Sequence, residues 1–304
     1  MISFWMNSTN KLSLTSVPSY RIESYLQTLF PNTHPVLFSS VRSGMNSILL
    51  HEEAKRSDLI FVPPYSPHCV FDSITRISTP TTDVNQKVKI SFEYYPYGFN
   101  FCSNQSAEII VKDRADSFLT SNYNFFEGKS KFEMVSLVKI LGTSSGGVIF
   151  CSSDKDAQSL INIRNSRNNK ISNINVFFKR TPSLAPYWQG TESISGSVSR
   201  FDTQNIWNLL KQYPAIEKIR KDNFELFKDF DLPEIAVGVI PTSIPVSSTD
   251  HNLELLKKNK ISTETRMFNY SSIENPIDFK NILPLPIHQE LTFSTLESIA
   301  KNLK

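Results

Sequence analysis

The spacing of apolar and polar positions alternates between helical and strand-like over about the first 180 residues. Helical spacing is found in three segments, 19–30, 43–56 and 154–165. Short apolar or β-branched runs predict strands in four others, 58–64, 88–95, 107–111 and 146–152. Ser43 can cap the second helix. Alternation of this kind predicts an α/β domain with a mostly parallel sheet.

The pattern changes after residue 200. A long helical segment, 201–230, is interrupted near Pro214, and shorter strand, helix and strand patterns follow at 235–246, 251–259 and 262–270. The final helix starts with a capping box at Ser294 and ends at Asn302. We therefore predict a large α/β domain at residues 1–200 and a small α+β domain at residues 201–304.

Composition narrows the possible classes of protein. Of 304 residues, 39% are hydrophobic, which is enough for a substantial core. The net charge is +3, and the basic residues are scattered among acidic ones. Neither a nucleic acid nor a membrane surface is therefore favoured as a partner. The three cysteines are far apart and the five histidines lack ligand spacing, so we expect neither a metal site nor a disulfide framework. With no signal peptide pattern at residues 1–11 and no membrane-spanning run, we expect a cytoplasmic protein.

Lys139 is the first candidate for chemistry. It lies among apolar residues in SLVKIL, directly before the turn GTSSGG. A lysine in a strand most often faces water, and that interpretation stays open. A desolvated lysine would instead be a nucleophile able to form a Schiff base with a carbonyl. Gly146 and Gly147 would admit a chain or ligand where side chains would clash.

Asp113 is the second candidate, because it follows the apolar run AEIIV and ligands gather at the carboxyl ends of strands in such sheets. It could cap a helix, bind a metal, or pair with a cationic ring nitrogen. The third role, with Lys139 on an aldehyde, fits pyridoxal 5'-phosphate (PLP). Its phosphate could bind the helix start at Ser43, Gly44 and Met45.

Several segments occur in an order typical of one enzyme family. They are SGM at 43–45 with DLIFVPP after it, KDRA at 112–115, KILGTSSGG at 139–147, SRFDTQ at 199–204, and near the C-terminus TETRMFNY and LPIHQELT. On these segments the chain resembles the DegT/StrS-type sugar aminotransferases, a branch of the fold type I PLP enzymes. The likeness extends from about residue 37 to the C-terminus.

The resemblance implies a function and a set of site residues. It implies a homodimer that transfers an amino group, with glutamate as donor, to a keto group on a nucleotide-linked sugar. Lys139 would hold PLP covalently and Asp113 would bind its ring nitrogen, with Arg200 near the partner's site. The residues implied to contact PLP are Ser43, Gly44, Met45, His68, Asp113, Asp116, Ser136 and Lys139.

The chain departs from the family pattern around the cofactor. A phosphate-binding serine is replaced by Met134, a threonine by Met45, and a glutamine by Asp116. The stacking aromatic residue falls at Pro67 or His68, and Phe118 and Val198 replace a histidine and an asparagine. We therefore expect weak cofactor binding. A degenerate member that acts as a binding or assembly partner is the alternative, and a sugar dehydratase is less favoured because those proteins typically carry histidine in place of the lysine.

The chain is also short before the strand near residue 88, and again between that strand and the one near residue 107. A parallel crossover needs about a dozen residues, and only short segments, 84–87 and 100–106, are available where the family has a helix. We therefore expect aromatic side chains to shield one face of the sheet, either as core or as an interface. The candidates are Tyr94, Tyr95, Tyr97, Phe99 and Phe101.

Overall fold

The computed structural model describes residues 2–3, 13–64, 66–100, 106–167, 170–178, 191–269 and 279–303. A seven-stranded sheet lies at its centre. In spatial order the strands are β2 (His34–Phe38), β9 (Gly147–Cys151), β8 (Phe132–Ser136), β6 (Ala107–Asp113), β5 (Val88–Tyr94), β3 (Leu59–Phe61) and β4 (Thr79–Thr81). Strand β9 is antiparallel to both neighbours, and the other pairs are parallel. The predicted α/β class with a mostly parallel sheet is confirmed.

Helices cover this sheet and continue into the C-terminal region. In chain order they are α1 (Ser19–Leu29), α2 (Val41–His51), α3 (His68–Thr75), α4 (Leu137–Leu141), α5 (Asp154–Ser166), α6 (Lys170–Phe178), α7 (Thr203–Leu210), α8 (Tyr213–Glu225), α9 (Asp250–Lys258) and α10 (Phe293–Ala300). None of the helices in the described ranges combines the length and hydropathy that a membrane-spanning segment needs.

Smaller sheets complete the structure. Strand β11 (Ser243–Ser247) is antiparallel to β14 (Phe279–Pro286), which is antiparallel to β13 (Arg266–Asn269). Two further pairs link distant segments of the chain. They are β7 (Ser117–Leu119) with β10 (Val239–Pro241), and β1 (Ile2–Ser3) with β12 (Ile261–Ser262).

Strand alternation divides the core into two hydrophobic clusters. Phe132 and Met134 face a cluster under α2, whereas Val135 faces a second cluster on the opposite side of the sheet. This second cluster also contains Leu256 and Ile299 from the C-terminal region. Because one core joins the two predicted domains, the boundary at residue 200 stays a prediction.

Several predicted element boundaries are wrong by a few residues. Helix α2 begins at Val41, because the hydroxyl of Ser40, not that of Ser43, accepts the first-turn N–H. In the same way Thr292, not Ser294, caps α10. The predicted strand 235–246 is two short strands in different sheets, β10 and β11.

The crossover from β5 to β6 contains no α-helix in its described part. A 3-10 turn at Pro96–Gly98 is present instead. Tyr97 and Phe99 pack against Phe268 of β13, with ring centroids 5.7 and 5.8 Å away. Both aromatic residues are buried, so this part of the predicted aromatic cluster is core. Phe101 lies outside the described residues.

Candidate active site

The carboxyl ends of β5, β6 and β8 place the candidate residues beside one another. Tyr94 ends β5 and pairs in register with Asp113, which ends β6. Asp113 pairs in turn with Met134 of β8, two residues before that strand ends at Ser136. This edge is where a mostly parallel sheet collects ligands.

Lys139 lies on a short helix, not in a strand. Strand β8 ends at Ser136, and α4 then buries Leu137, Ile140 and Leu141. This spacing of apolar positions is helical, and it leaves Lys139 on the other side of the helix. Gly142 ends the helix with a φ of +73°, a conformation that glycine adopts without strain. The strand geometry assumed for a water-facing Lys139 is therefore wrong, whereas its apolar setting is confirmed.

Asp116 connects Lys139 to Tyr94. Its Oδ1 lies 2.5 Å from Lys139 Nζ, and its Oδ2 accepts a hydrogen bond of 2.5 Å from the Tyr94 hydroxyl. The side chain of Asp116 is 1% exposed, whereas that of Lys139 is 26% exposed. Burial, followed by the charge of Asp116, raises the pKa of Tyr94, which keeps the phenol a donor.

Asp113 is a buried carboxyl next to this pair. Its Oδ1 accepts a hydrogen bond of 3.1 Å from the Ala115 N–H. Burial raises the pKa of Asp113 to about 6, the Ala115 bond and Lys139 oppose that rise, and Asp116 adds to it. Asp113 would therefore be mostly ionised near neutral pH, although its charge is poorly solvated.

The start of helix α2 reaches the same edge through Gly147. Gly147 is paired with Ser136 on one side and with Phe38, just before α2, on the other. A Cβ on Gly147 would lie 2.3 Å from the backbone nitrogen of Val41, so only glycine fits here without movement. The predicted close approach at this glycine is real, and the approaching group belongs to this chain.

The residues predicted to bind phosphate are engaged within the chain. The N–H groups of Ser43 and Gly44 bond to the hydroxyl and carbonyl oxygens of Ser40. The Ser43 hydroxyl donates to the carbonyl oxygen of Ser195, and Arg167 Nη1 lies 3.2 Å from that hydroxyl oxygen. Any anion at this helix start must compete with these contacts.

Met45 and Met134 lie in the hydrophobic core, and Met134 is in register with Asp113. Both side chains are fully buried in the hydrophobic cluster under α2. Met45 therefore offers no side-chain contact to a ligand, and Met134 is a core residue. Strand alternation puts Met134 on the same side of β8 as Phe132, so its core position could be predicted from the sequence.

The remaining predicted residues are divided between this edge and the surface. Ser136 is buried at the start of α4, three residues before Lys139. His68 is exposed at the start of α3, and no contact in the described part of the chain joins it to Asp113 or Lys139. The structure thus brings Asp113, Asp116, Lys139 and Ser136 to one edge of the sheet, and the place of His68 beside the cofactor stays a prediction.

Two residues that sequence reasoning missed contribute to the site. Tyr94 was noted only as an aromatic shield, although its register with Asp113 puts both side chains on the same side of the sheet. Arg220 of α8 donates through Nη2 to the carbonyl oxygen of Ile140, the residue after Lys139. No local signal marks Arg220, because the contact joins residues 80 positions apart.

One group of side chains has ligand types suitable for a metal ion. His51, Glu52 and Asp156 lie close together within the described ranges. Lys131 Nζ is 2.7 Å from Glu52 and 3.2 Å from Asp156. An ammonium already supplies the positive charge there, so the group is an ion-pair network.

The fold and the site define a class of protein before any comparison. A mostly parallel sheet with one antiparallel strand carries a lysine, a buried carboxyl and a helix start at one edge, which is the arrangement of a fold type I PLP enzyme. A family model described as "Putative PLP-dependent aminotransferase" matches residues 22–303. The chain belongs to this PLP-dependent aminotransferase family, and PLP is its cofactor.

Solved structures agree with this fold at low sequence identity. Spr1654 of Streptococcus pneumoniae, described as a "putative sugar aminotransferase" in its PMP form, is 14% identical, covers 94% of this chain and 93% of its own, and gives a TM-score of 0.58. A DegT DnrJ EryC1 StrS aminotransferase from Brucella abortus is 12% identical, with coverages of 95% and 90% and a TM-score of 0.59.

A related enzyme of a different activity is equally similar in fold. The GDP-4-keto-6-deoxy-D-mannose-3-dehydratase of E. coli, with bound hydrated PLP, is 15% identical, covers 95% of this chain and 92% of its own, and gives a TM-score of 0.63. No curated protein matches the chain significantly by sequence. The structural comparisons therefore establish the fold, and the choice among activities depends on the site.

The residues present fit the ring and aldehyde half of PLP. Lys139 supplies an amine with partial exposure, and Asp113 supplies a buried carboxyl in the same cluster. The two requirements of the cofactor, an amine for its aldehyde and an anion for its ring nitrogen, are met by adjacent residues. On the phosphate half, Ser43 and Gly44 must first release their present partners.

Proposed function

We propose that this protein transfers an amino group, with glutamate as donor, to a keto group on a nucleotide-linked sugar. The observation that supports an active transferase is the cluster of Lys139 and Asp113 at the carboxyl ends of neighbouring strands. Retention of lysine favours amino transfer over the dehydratase activity. The sugar aminotransferases among the solved relatives support the choice of substrate class.

The roles of the chain's own residues follow from their positions. When bound, PLP supplies an aldehyde that carries amino groups and a ring that accepts electrons. Lys139 would hold the aldehyde carbon covalently and, when released, would carry a proton on Nζ. Asp113 would accept a hydrogen bond from the protonated ring nitrogen, and its buried carboxylate would stabilise that positive charge. Arg200 remains proposed to reach the partner's site.

Contacts to the rest of the cofactor also form part of this proposal. Ser43 and Gly44 would bind phosphate through donors now used within the chain, and Met45 would contribute only its backbone. Ser136 and Asp116 would lie along the cofactor near Lys139, and His68 would approach the ring from α3. Because these donors must exchange partners, we expect weak binding of the cofactor.

Borohydride reduction with PLP tests the central assignment. The adduct is expected on Lys139, identified by peptide mass mapping, and glutamate should convert the bound cofactor to its amine form. Lys131 is a matched internal control, because it is also partly exposed and paired with carboxylates. An adduct on Lys131, or none on any lysine with PLP in excess, would refute the proposed function.

A homodimer in the cytoplasm is the proposed assembly and location. Apolar side chains that remain exposed support an interface near the helix start of α2. They are Ile174 and Phe177 of α6 and Ile194 of the adjacent 3-10 turn. Cys69 and Cys151 are free thiols, as in a reducing compartment. Sedimentation should give a dimer for the native chain and monomers for Phe177→Glu.

A non-catalytic binding protein is the second candidate. The observation in its favour is the helix start of α2, where Ser43 is bound by Ser195 and Ser40. A helix start closed in this way would leave the phosphate without donors. This candidate predicts that neither PLP nor pyridoxamine 5'-phosphate binds the purified protein in a calorimetric titration, whereas the transferase must bind both.

A further inference from the structure

The carboxylate of Asp116 has two described partners, and one of them is the reactive lysine. Lys139 Nζ and the Tyr94 hydroxyl each lie 2.5 Å from one of its oxygens. The carboxylate is almost fully buried, so its charge depends on these two contacts. Nζ must lose a proton before it can attack a carbonyl, so the ion pair between the Lys139 ammonium and Asp116 must break at that step.

Other charged or titratable groups surround this pair from each neighbouring element. Asp113 of β6 interacts electrostatically with Lys139 and with Asp116. Burial, and then the charge of Asp116, raises the pKa of Tyr97 in the 3-10 turn after β5. Beyond Tyr97 lie Arg266 and Glu264. Of these groups, Asp116 makes the direct hydrogen-bonded contact with Nζ.

The resemblance places a neutral glutamine where this chain has Asp116. An amide can accept a hydrogen bond from an ammonium, but it contributes no opposite charge. A buried carboxylate at 2.5 Å from Nζ forms an ion pair with the ammonium, and that pair must break before Nζ can react. Only the neutral amine is a nucleophile, so this exchange of residue bears on the chemistry of Lys139 itself.

We propose that Asp116 is the counter-ion that holds Lys139 as an unreactive ammonium in the cofactor-free protein, so that covalent capture of an aldehyde must break this pair. The inference rests on the proposed PLP-dependent function. In the capture step the ammonium loses one proton to water on its exposed side. The amine then forms the bond to carbon, and its two remaining hydrogens leave with the carbonyl oxygen as water.

Variants of the two partners should act in opposite directions. Asp116→Asn removes the charge, and Asp116→Gln restores the family residue, so both should increase the rate of covalent PLP capture at pH 7 by about 10- to 100-fold. Tyr94→Phe removes the competing donor and leaves the carboxylate to Lys139 alone. It should slow capture by about 3- to 10-fold. A merely structural role would slow capture in every variant.

The experiment measures capture at Lys139 from pH 6 to 10, by visible absorption and by borohydride trapping with peptide mapping. At the lower pH values of this range, capture should be faster in Asp116→Asn and slower in Tyr94→Phe than in the native chain. Glu225→Gln is the matched control, because it removes an exposed carboxylate from an ion pair with Lys228. Its profile should coincide with that of the native chain.

Two further measurements separate failure of this inference from failure of the proposed function. Pyridoxamine 5'-phosphate has no aldehyde, so its affinity reports the cofactor site without Lys139 capture and separates a change in cofactor binding from a change in Lys139 reactivity in Asp116→Asn. Reductive methylation by formaldehyde reports the reactivity of Lys139 without PLP, and should be faster in that variant. Equal methylation rates and equal pH profiles in the native chain and Asp116→Asn would overturn the inference, even if PLP binds normally. A native chain that binds neither cofactor form would overturn the proposed function, and the methylation result would still decide the role of Asp116.

Discussion

Arg220 Nη2 donates a 2.9 Å hydrogen bond to the carbonyl oxygen of Ile140, and so links helix α8 to the helix that carries Lys139. The guanidinium is fully buried, with its Nε 3.0 Å from Gln289 Oε1 and its centre 5.0 Å from the Phe118 ring. Burial lowers the pKa of Arg220 to about 10. Phe118, where the resemblance expects histidine, therefore forms part of this packing.

Replacing Arg220 should loosen the helix of Lys139. Arg220→Met fills much of the same space but leaves the acceptors on Ile140 and Gln289 without their donor, at a cost of about 1–3 kcal/mol each. We expect the free energy of unfolding in urea to fall by about 2–4 kcal/mol. Lys218→Met, an exposed change on the same helix, should alter it by less than about 0.5 kcal/mol. Equal effects of the two changes would contradict this role.

Asp113 should make the cofactor-free protein less stable as the pH rises. Its folded pKa of about 6 exceeds the ordinary value of 3.8, so between these values the folded chain binds more protons than the unfolded chain. The unfolding free energy therefore falls through this window and stays lower above it. Asp113→Asn keeps the hydrogen-bond acceptor for the Ala115 N–H and removes the charge. It should therefore raise the unfolding free energy by about 3 kcal/mol at pH 7.5 but by only about 1 kcal/mol at pH 4.5.

Urea unfolding at these two pH values measures the difference. Asp222→Asn is the control, because this carboxylate is half exposed on the surface of α8. It should show no comparable dependence on pH. With PLP present, Asp113→Asn should instead lose most turnover while it still forms the borohydride adduct at Lys139. Undiminished turnover would remove Asp113 from its proposed role.

The central sheet and its reactive edge were predictable because their signals are local. Apolar runs such as AEIIV and GGVIFC predict strands, and Asp113 ends the first of them. Lys139 was found by its apolar neighbours, although helical rather than strand geometry explains them. Both residues were therefore accessible to reasoning on short windows of sequence.

Contacts between distant segments were not predictable in this way. Ser43 and Ser195 are 152 positions apart, and nothing near Ser43 indicates that its hydroxyl is already bound. The link from Tyr94 to Asp116 depends on the register of β5 against β6, which the sequence leaves open. These long-range contacts decide the phosphate side of the site and the state of Lys139.

The two methionines give a prediction about stability. They stand where the resemblance expects a phosphate-binding serine and a threonine, so Met134→Ser and Met45→Thr would restore the family hydroxyls. Both side chains are in the core, so the new hydroxyls would be buried without partners. Met134→Ser alone should lower the unfolding free energy by about 2–4 kcal/mol, measured in urea.

Met267→Ser is the matched control for that change, because this methionine is 66% exposed. It should lower the unfolding free energy by less than about 0.5 kcal/mol. If instead Met134→Ser left stability unchanged and strengthened PLP binding in a titration, the side chain would have to face the cofactor, and its placement in the core would be wrong.

Gly147 provides a direct test of the contact between the lysine edge and helix α2. A Cβ there would lie 2.3 Å from the nitrogen of Val41 and 2.4 Å from the carbonyl carbon of Ser40, and neither backbone atom can move alone. At Gly44 the nearest obstacle, at 2.5 Å, is the end of the flexible Ile149 side chain. Gly147→Ala should therefore lower the unfolding free energy by about 3 kcal/mol or more, and Gly44→Ala by about 1 kcal/mol. Thermal and urea unfolding of both variants would measure this order. The reverse order would mean that α2 does not start against Gly147, and the proposed phosphate position would have to be moved away from the carboxyl end of β2.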